Sequence, residues 1–138
     1  MEVGMSVTPL VREFMDKKFT TLSPDTDVYE AIDTLLANKI TGAPVVDKKE
    51  KLVGILSEKD CLRTLTHYAY SRFPAGKVSE YMTREVATIH PDLDIFSVAD
   101  RFLNCHYRRL LVVEDKKLVG QITRRDLLRA IHKLKESE

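Results

Sequence analysis

Two short segments place a hydroxyl residue three positions before an aspartate, just after a glycine-containing apolar run. They are Gly54–Asp60, GILSEKD, and Gly120–Asp126, GQITRRD, with Ser57 and Thr123 as the hydroxyl residues. The [ST]-x-x-[DE] pattern satisfies free amides at a helix N-terminus. A helix N-terminus also attracts anions, and an ionised aspartate accepts hydrogen bonds from a pair of hydroxyl groups. The spacing therefore predicts either two helix caps or two corners of a ligand site.

Gly54 and Gly120 favour the second interpretation. Each glycine lies in an apolar run, three residues before the hydroxyl. Glycine weakens a strand and often marks a close approach by other backbone or by a ligand. A helix cap alone does not require it.

The two segments belong to an internal repeat that covers most of the chain. Val11–Lys48 matches Val78–Asp115 at an offset of 67 residues, and one lost residue near Lys49 shortens the offset to 66. Matches at turn residues, such as Pro24 with Pro91, are harder to reach by chance than matches at apolar residues. Self-similarity of this kind indicates one structural unit used twice.

Each repeat predicts the order strand, helix, strand, strand, helix. Short extended segments end at Ser-Pro or His-Pro, where proline disfavours helix in the preceding residue. Helices capped by aspartate follow, and paired apolar runs around a charged turn predict antiparallel hairpins. A second helix begins after Ser57 or Thr123. The predicted pieces are the extended segments Phe19–Leu22 and Val86–Ile89, the N-caps Asp27 (in a box with Glu30) and Asp94, and the hairpin strands Ala43–Val46, Leu52–Leu56, Leu110–Val113 and Leu118–Ile122.

The first helix of each repeat has one apolar face. Its residues follow i, i+3, i+4, i+7, i+8 spacing, which places five side chains on the same side. The two sets are Val28, Ala31, Ile32, Leu35 and Leu36, and Ile95, Val98, Ala99, Phe102 and Leu103.

These patterns predict an α/β (α+β) fold of two pseudo-symmetric β-α-β-β-α units. Residues 8–66 would form the first unit, 67–77 a linker and 78–135 the second. One unit has too little core to stand alone, so we expect the two to pack sheet to sheet.

Composition excludes several classes of protein. The 138 residues are 43% hydrophobic and 31% charged with a net charge of +1, which argues against disorder and against bulk attraction to nucleic acid or anionic membrane. The apolar runs are far shorter than the ~20 residues that span a bilayer. We expect a soluble cytoplasmic protein.

No pattern typical of an enzyme or of a metal protein is present in the sequence. There is no paired nucleophile and base and no GxxxxGK phosphate loop. Cys61 and Cys105 form no CxxC pair, and we expect two buried thiols, with a disulfide as the less favoured alternative. The histidines do not share a helical face, which predicts no metal site. We expect no catalytic residues, and nucleic-acid binding is disfavoured because no basic face with interleaved aromatic residues occurs.

With these features the chain resembles a known family, the tandem cystathionine beta-synthase (CBS) domain pair, or Bateman module. The resemblance covers about Leu10 to Leu134. It depends on the paired Gly-x-x-[Ser/Thr]-x-x-Asp segments, on the hairpin strands at Pro44–Val46 and Leu111–Val113, and on Ser-Pro-Asp or His-Pro-Asp before the first helix. Members of that family form a flat disc with two clefts between the units. Many bind AMP, ADP, ATP or S-adenosylmethionine and thereby regulate an attached or partner protein.

The resemblance implies roles for particular residues. Asp60 and Asp126 would bind ribose hydroxyls, with Ser57 and Thr123 helping to hold the sugar or phosphate end. Adenine would lie against the backbone near residues of the strands, and phosphate would meet arginines of the second repeat. The implied adenine positions are Thr20, Ala43, Ala87 and Leu110, and the implied phosphate positions are Arg108, Arg109, Arg124 and Arg125.

The two repeats differ in the charge that they offer a phosphate. The positions of Arg108 and Arg109 are Thr41 and Gly42 in the first repeat. Arginine gives bidentate, permanently charged contacts to phosphate. We therefore expect unequal clefts and a preference for a nucleotide over plain adenosine.

The resulting hypothesis is a stand-alone adenine-nucleotide sensor that acts as a homodimer on an unidentified partner protein. S-adenosylmethionine is an alternative ligand. The other alternative is a constitutive dimerisation or protein-interaction module without a ligand, in which the motifs serve only as helix caps.

Overall fold

The computed structural model describes residues 8–71 and 76–137. These residues form two units, which are named after their motif aspartates. The Asp60 unit runs from Thr20 to Val86, and the Asp126 unit combines the residues up to Phe19 with those from Ala87 onward. The elements in chain order are α1 (Val11–Phe14), α2 (Val28–Ala37), β1 (Gly42–Val46), β2 (Leu52–Ser57), α3 (Glu58–Ser71), α4 (Val78–Tyr81), β3 (Thr88–Ile89), α5 (Ile95–Asn104), β4 (Arg109–Glu114), β5 (Lys117–Thr123) and α6 (Arg124–Glu136).

Each unit is built on the predicted antiparallel hairpin. In the Asp60 unit β1 pairs with β2, and in the Asp126 unit β4 pairs with β5. The β4–β5 turn is tight because Asp115 and Lys116 adopt φ angles of 54° and 69°, as a two-residue type I′ hairpin requires. The short strand β3 pairs in parallel with β4. The predicted extended segments thus form only brief pairings, and Leu22 makes an isolated parallel bridge to Val45.

Each unit buries its own apolar core between the hairpin and the helices. The predicted helix faces provide Val28, Ala31 and Leu35 in one unit. The other unit uses Ile95, Val98 and Phe102 in the same way. The last residue of each predicted face lies outside the core, since Leu36 is 72% and Leu103 is 83% exposed.

The helix caps agree in part with the prediction. Asp27 accepts a hydrogen bond from the amide of Tyr29, and Asp94 accepts one from the amide of Ser97. The Asp27 side chain accepts the one side-chain cap bond of α2, and Glu30 forms no capping box with it. Helix α3 continues to Ser71, so the first part of the expected linker 67–77 is helical, and residues 72–75 lie outside the described part of the chain.

The first residues of each repeat pack in the unit formed by the rest of the other repeat. The amide of Val11 donates to the carbonyl of Leu93 at 2.9 Å, and Asp16 pairs with Gln121 of β5. The first segment of the chain is therefore part of the Asp126 unit.

The equivalent segment at the start of the second repeat belongs to the Asp60 unit. The amide of Val78 donates to the carbonyl of Thr26 at 2.8 Å, and Thr83 pairs with Ile55 of β2. Each hairpin thus gains an extra neighbour from the start of the other repeat. Among the described residues, no helix is both long enough and apolar enough to cross a membrane.

Candidate functional site

The Asp126 corner lies where β5 ends and α6 begins. The amide and hydroxyl of Thr123 donate to Asp126 Oδ2 at 2.8 Å and 3.0 Å, and the Asp126 amide donates back to the Thr123 hydroxyl at 3.3 Å. This reciprocal pair is a capping box, and it satisfies amides that the first turn of α6 would otherwise leave free. The predicted cap exists, and it uses only one oxygen of the carboxylate.

The second carboxylate oxygen of Asp126 is held by Arg129. Arg129 Nη1 donates to Asp126 Oδ1 at 2.6 Å, an i, i+3 contact on α6. The Asp126 side chain is 10% exposed, whereas that of Arg129 is 65% exposed. The ion pair therefore joins a nearly buried acceptor to a donor that reaches it from solvent.

A cavity of about 480 Å³ opens beside this ion pair. Its lining carries two carboxylates and two guanidinium groups together with apolar side chains. The lining residues are Phe14, Met15, Asp16, Thr123, Arg125, Asp126 and Arg129. All of them belong to the Asp126 unit. Such a mixture can hold hydroxyls on a carboxylate and an anion on arginine.

The Asp60 corner repeats the cap with a different partner for the second oxygen. The amide and hydroxyl of Ser57 donate to Asp60 Oδ2 at 2.9 Å and 3.0 Å. Asp60 Oδ1 accepts from the hydroxyl of Thr83 at 3.0 Å, while Arg63 Nη1 stays 3.8 Å away. A neutral hydroxyl thus takes the place that Arg129 has in the Asp126 unit.

This difference follows from one repeat position. Thr83 and Asp16 are equivalent at the 67-residue offset, and each pairs through its backbone with the middle of a motif strand, at Ile55 or Gln121. Aspartate cannot donate a hydrogen bond to a second carboxylate when both are ionised. Arg129 supplies the donor instead.

The motif glycines are explained by packing inside each unit. A Cβ atom on Gly54 would lie 2.8 Å from the backbone oxygen of Thr83 and from Met82 Sδ. One on Gly120 would lie 2.5 Å from Met15 Sδ. The close approach that the sequence indicated is made by the segment that each unit takes from the start of the other repeat, not by a ligand.

The four predicted phosphate arginines lie in different places. Arg109 begins β4 opposite Thr123, which places their side chains on the same face of the hairpin; partial burial lowers the pKa of the Arg109 guanidinium. Arg108 is exposed beside it. Arg125 lines the cavity at Asp126, whereas Arg124 lines a separate groove between α5 and α6.

The predicted adenine positions lie on the strands or beside them. Ala43 and Leu110 are buried members of the two cores, so only their backbone atoms could meet a ligand. Thr20 and Ala87 are half-buried, each at the start of its extended segment.

Arg63 and Arg129 were missed by the sequence analysis. A signal for them was present, since arginine follows the motif aspartate by three residues in both repeats. At this spacing the two side chains share a helix face. The two arginines make different contacts. Arg129 donates a hydrogen bond to Asp126, whereas Arg63 forms only a 3.8 Å ion pair with Asp60. The Oδ1 atom of Asp60 accepts from Thr83 instead.

A second cluster of polar and ionisable side chains lies on the surface of the Asp126 unit. His90, Asp92 and Glu114 bring their potential ligand atoms within 4.8 Å of one another. Arg12 of α1 donates to both carboxylates, at 2.9 Å and 3.1 Å. The cluster therefore ties α1 to the turn before α5 and to the end of β4.

A family model for the CBS domain matches this chain twice, over residues 11–67 and 78–133. An uncharacterised protein of Methanocaldococcus jannaschii, MJ1225, is 33% identical over 122 residues. The match covers 88% of this chain and 42% of that protein, so the chain spans less than half of this relative.

Solved structures match nearly the whole chain. The complex of CBSX2, a CBS-pair protein of Arabidopsis thaliana, with AMP gives a TM-score of 0.78 at 30% identity, covering 92% of this chain and 98% of CBSX2. The CBS domain pair of MJ0100 with 5-methylthioadenosine and S-adenosylmethionine gives 0.70 at 28% identity, covering 92% and 98%. Both neighbours were solved with adenine-containing ligands.

Proposed function

This chain belongs to the CBS domain family as a tandem pair, and from that membership we propose that it is a regulatory module that binds adenine nucleotides of the AMP, ADP and ATP class. Nucleotide binding would change its interaction with a partner protein. The proposed role is binding and not catalysis. The similarity to the AMP complex of CBSX2 supports the ligand class.

The cavity beside Asp126 is the observation that carries the proposal. It offers a carboxylate for the ribose hydroxyls and arginine for the phosphate within one unit. We assign ribose to Asp126 and Thr123, and phosphate to Arg125, with Arg108 and Arg109 on the neighbouring strand. Backbone at Ala87 and Leu110 would meet the adenine. Asp60 and Ser57, with Thr20 and Ala43, form the weaker, equivalent corner in this proposal.

Titration calorimetry of the purified protein with AMP, ADP, ATP and S-adenosylmethionine tests the proposal directly. We expect heat and a raised Tm with at least one phosphate-bearing nucleotide, since a ligand that binds the native state stabilises it. If none of the four compounds gives binding heat or a raised Tm at millimolar concentration, the sensor hypothesis is wrong.

Comparison of Asp126→Ala with Asp60→Ala separates a site from a cap. Both substitutions remove a capping interaction, so both should lower the Tm. We expect only Asp126→Ala to abolish most of the ligand heat. Equal ligand binding by both variants and the wild type would assign the aspartates to capping alone.

S-adenosylmethionine is the second candidate ligand, and Asp16 favours it. The Asp16 carboxylate lines the cavity, where it would attract the cationic sulfonium and repel a phosphate. The structure of MJ0100 with that compound shows that a similar fold accepts it. Affinity for S-adenosylmethionine above that for AMP would establish this alternative.

Exposed apolar side chains on the helices favour a homodimer. In the Asp60 unit Leu62 and Leu65 of α3 are 63% and 68% exposed. In the Asp126 unit Leu128 and Ile131 of α6 are 60% and 59% exposed. Adjacent apolar residues left in water are typical of interaction surfaces, and we propose that a second copy of the chain covers them.

A further inference from the structure

We infer that Arg129 makes the Asp126 corner discriminate nucleotides from nucleosides, because a bound ribose competes with Arg129 for Asp126 and a phosphate then offers the freed guanidinium a partner that a nucleoside lacks. This inference rests on the proposed function. It concerns a residue that neither the motif nor the predicted phosphate set contains.

The acceptor capacity of Asp126 requires the displacement. An ionised carboxylate offers about four lone-pair positions. Thr123 occupies both positions of Oδ2, and Arg129 occupies one of Oδ1. A ribose with two free hydroxyls brings two donors to an acceptor with one position left. One ribose hydroxyl therefore competes directly with Arg129.

Arg129 is the partner that can yield. The Thr123 donors are a backbone amide and a hydroxyl fixed at the helix N-terminus, and their loss would undo the cap of α6. Arg129 reaches Asp126 with a long side chain that is 65% exposed. Its guanidinium can turn into water or toward another anion without breaking a backbone hydrogen bond.

Displacement has a different cost for the two classes of ligand. A nucleoside exchanges a charge-assisted hydrogen bond for neutral hydroxyl donors and offers the freed guanidinium no partner. A nucleotide offers its phosphate, which accepts bidentate bonds from arginine. Arg125 lines the same cavity as Arg129, so both guanidinium groups are available to one phosphate. A contact between Arg129 and the phosphate thus replaces the hydrogen bond that Arg129 loses to the ribose.

The Asp60 corner provides a comparison because the donor to its Oδ1 is a neutral hydroxyl. There a ribose would compete with the hydroxyl of Thr83, while Arg63 is 3.8 Å from Asp60 Oδ1 and is not hydrogen-bonded to it. A displaced threonine hydroxyl gains little from a phosphate. We therefore expect no comparable discrimination at Asp60.

Calorimetry with AMP and with adenosine tests the inference on the wild type and on Arg129→Ala, Arg129→Lys and Arg63→Ala. For Arg129→Ala we expect AMP to bind about tenfold more weakly and adenosine several-fold more tightly, as for loss of one charge-assisted contact. Arg129→Lys, which keeps the charge without the planar fork, should lie between. Arg63→Ala should leave the ratio of the two affinities near the wild-type value.

If the affinities for AMP and adenosine change by the same factor in Arg129→Ala, or if adenosine binding is not detected in that variant, the inference is wrong. The proposal of a nucleotide site is not affected by either result. If Arg63→Ala alone changes the ratio, discrimination belongs to the Asp60 corner and the inference is overturned. If the wild type binds none of the adenine compounds, the proposed function itself fails.

Discussion

The hydroxyl of Thr83 donates a 3.0 Å hydrogen bond to the carboxylate of Asp60, a residue 23 positions earlier in the chain. Asp60 is 3% exposed, so a lost donor would not be replaced freely by water. We expect Thr83→Val to lower the free energy of unfolding by about 1–3 kcal/mol. Thr83→Ser keeps the hydroxyl and should lose less. Urea denaturation measures both, and equal losses would show that the hydrogen bond contributes little.

Asp16 should weaken phosphate binding at the Asp126 corner. Its carboxylate lines the cavity with Arg125 and Arg129, and like charges repel. We expect Asp16→Asn to bind AMP about two- to fivefold more tightly, as for one partly screened charge. Adenosine affinity should stay the same, which makes adenosine the internal control. A parallel gain for adenosine would point to a change in shape and not in charge.

Gly54 should tolerate a methyl group less well than Gly120. The new Cβ at position 54 would lie 2.8 Å from a backbone oxygen, that of Thr83. At position 120 its closest neighbour is Met15 Sδ, and the backbone oxygen of Asp16 is 3.2 Å away. A methionine side chain can move, whereas a paired backbone cannot. We expect Gly54→Ala to cost about 1–3 kcal/mol and Gly120→Ala clearly less, as measured by denaturation; the opposite order would contradict the packing explanation.

The attachment of α1 should weaken in acid. The hydrogen bond from Arg12 is the main cause that lowers the pKa of Asp92. A carboxylate with a depressed pKa in the folded state stabilises that state above its unfolded pKa of about 3.9, and the contribution disappears as the pH falls through the lower folded value. The Arg12 Nε–H resonance, followed by NMR on acidification, should therefore shift below about pH 4. Asp92→Asn should lack this transition, and an identical shift in that variant would assign the titration to another group.

The apolar helix faces predict an association that a charge should break. Leu65→Glu or Ile131→Glu places a carboxylate on a surface that a second copy would cover, where it could not stay hydrated. We expect either variant to be monomeric by light scattering coupled to gel filtration. Thr66→Glu, an exposed neighbour on α3, adds the same charge as a control. A wild type that is already monomeric would remove the homodimer proposal.

The regular elements were predictable because their signals are local. The hairpins, the second helices and the caps Asp27 and Asp94 all follow from residues within a few positions of one another. Family membership was predictable for a related reason, since the paired motifs recur at a nearly constant offset. The exposure of Leu36 and Leu103 was not, because periodicity assigns a face to a residue without saying how far the core extends along it.

The partners of the motif aspartates were beyond the sequence because they come from elsewhere in the chain. Thr83 reaches Asp60 only through the pairing of its segment with Ile55. Repeat spacing equates Thr83 with Asp16 and thereby indicates a difference between the corners, but it does not say that either residue lies near an aspartate. The sequence correctly indicated a close approach at the two motif glycines. Only the structure identifies the atoms that approach them.

The first residues of each repeat pack in the unit formed by the other repeat, so the boundaries of the sequence repeats differ from those of the compact units. The Asp60 unit is continuous and can be complete once residue 86 has left the ribosome. The Asp126 unit is completed later, because the segment that contains Asp16 is made before the Asp60 unit and its β5 partner Gln121 comes about one hundred residues after it. Closing so long a loop costs entropy before any contact repays it. The segment that precedes the Asp60 unit is thus made before that unit and gains its native contacts after it, and a repeat cut out at its sequence boundaries would carry the wrong leading segment.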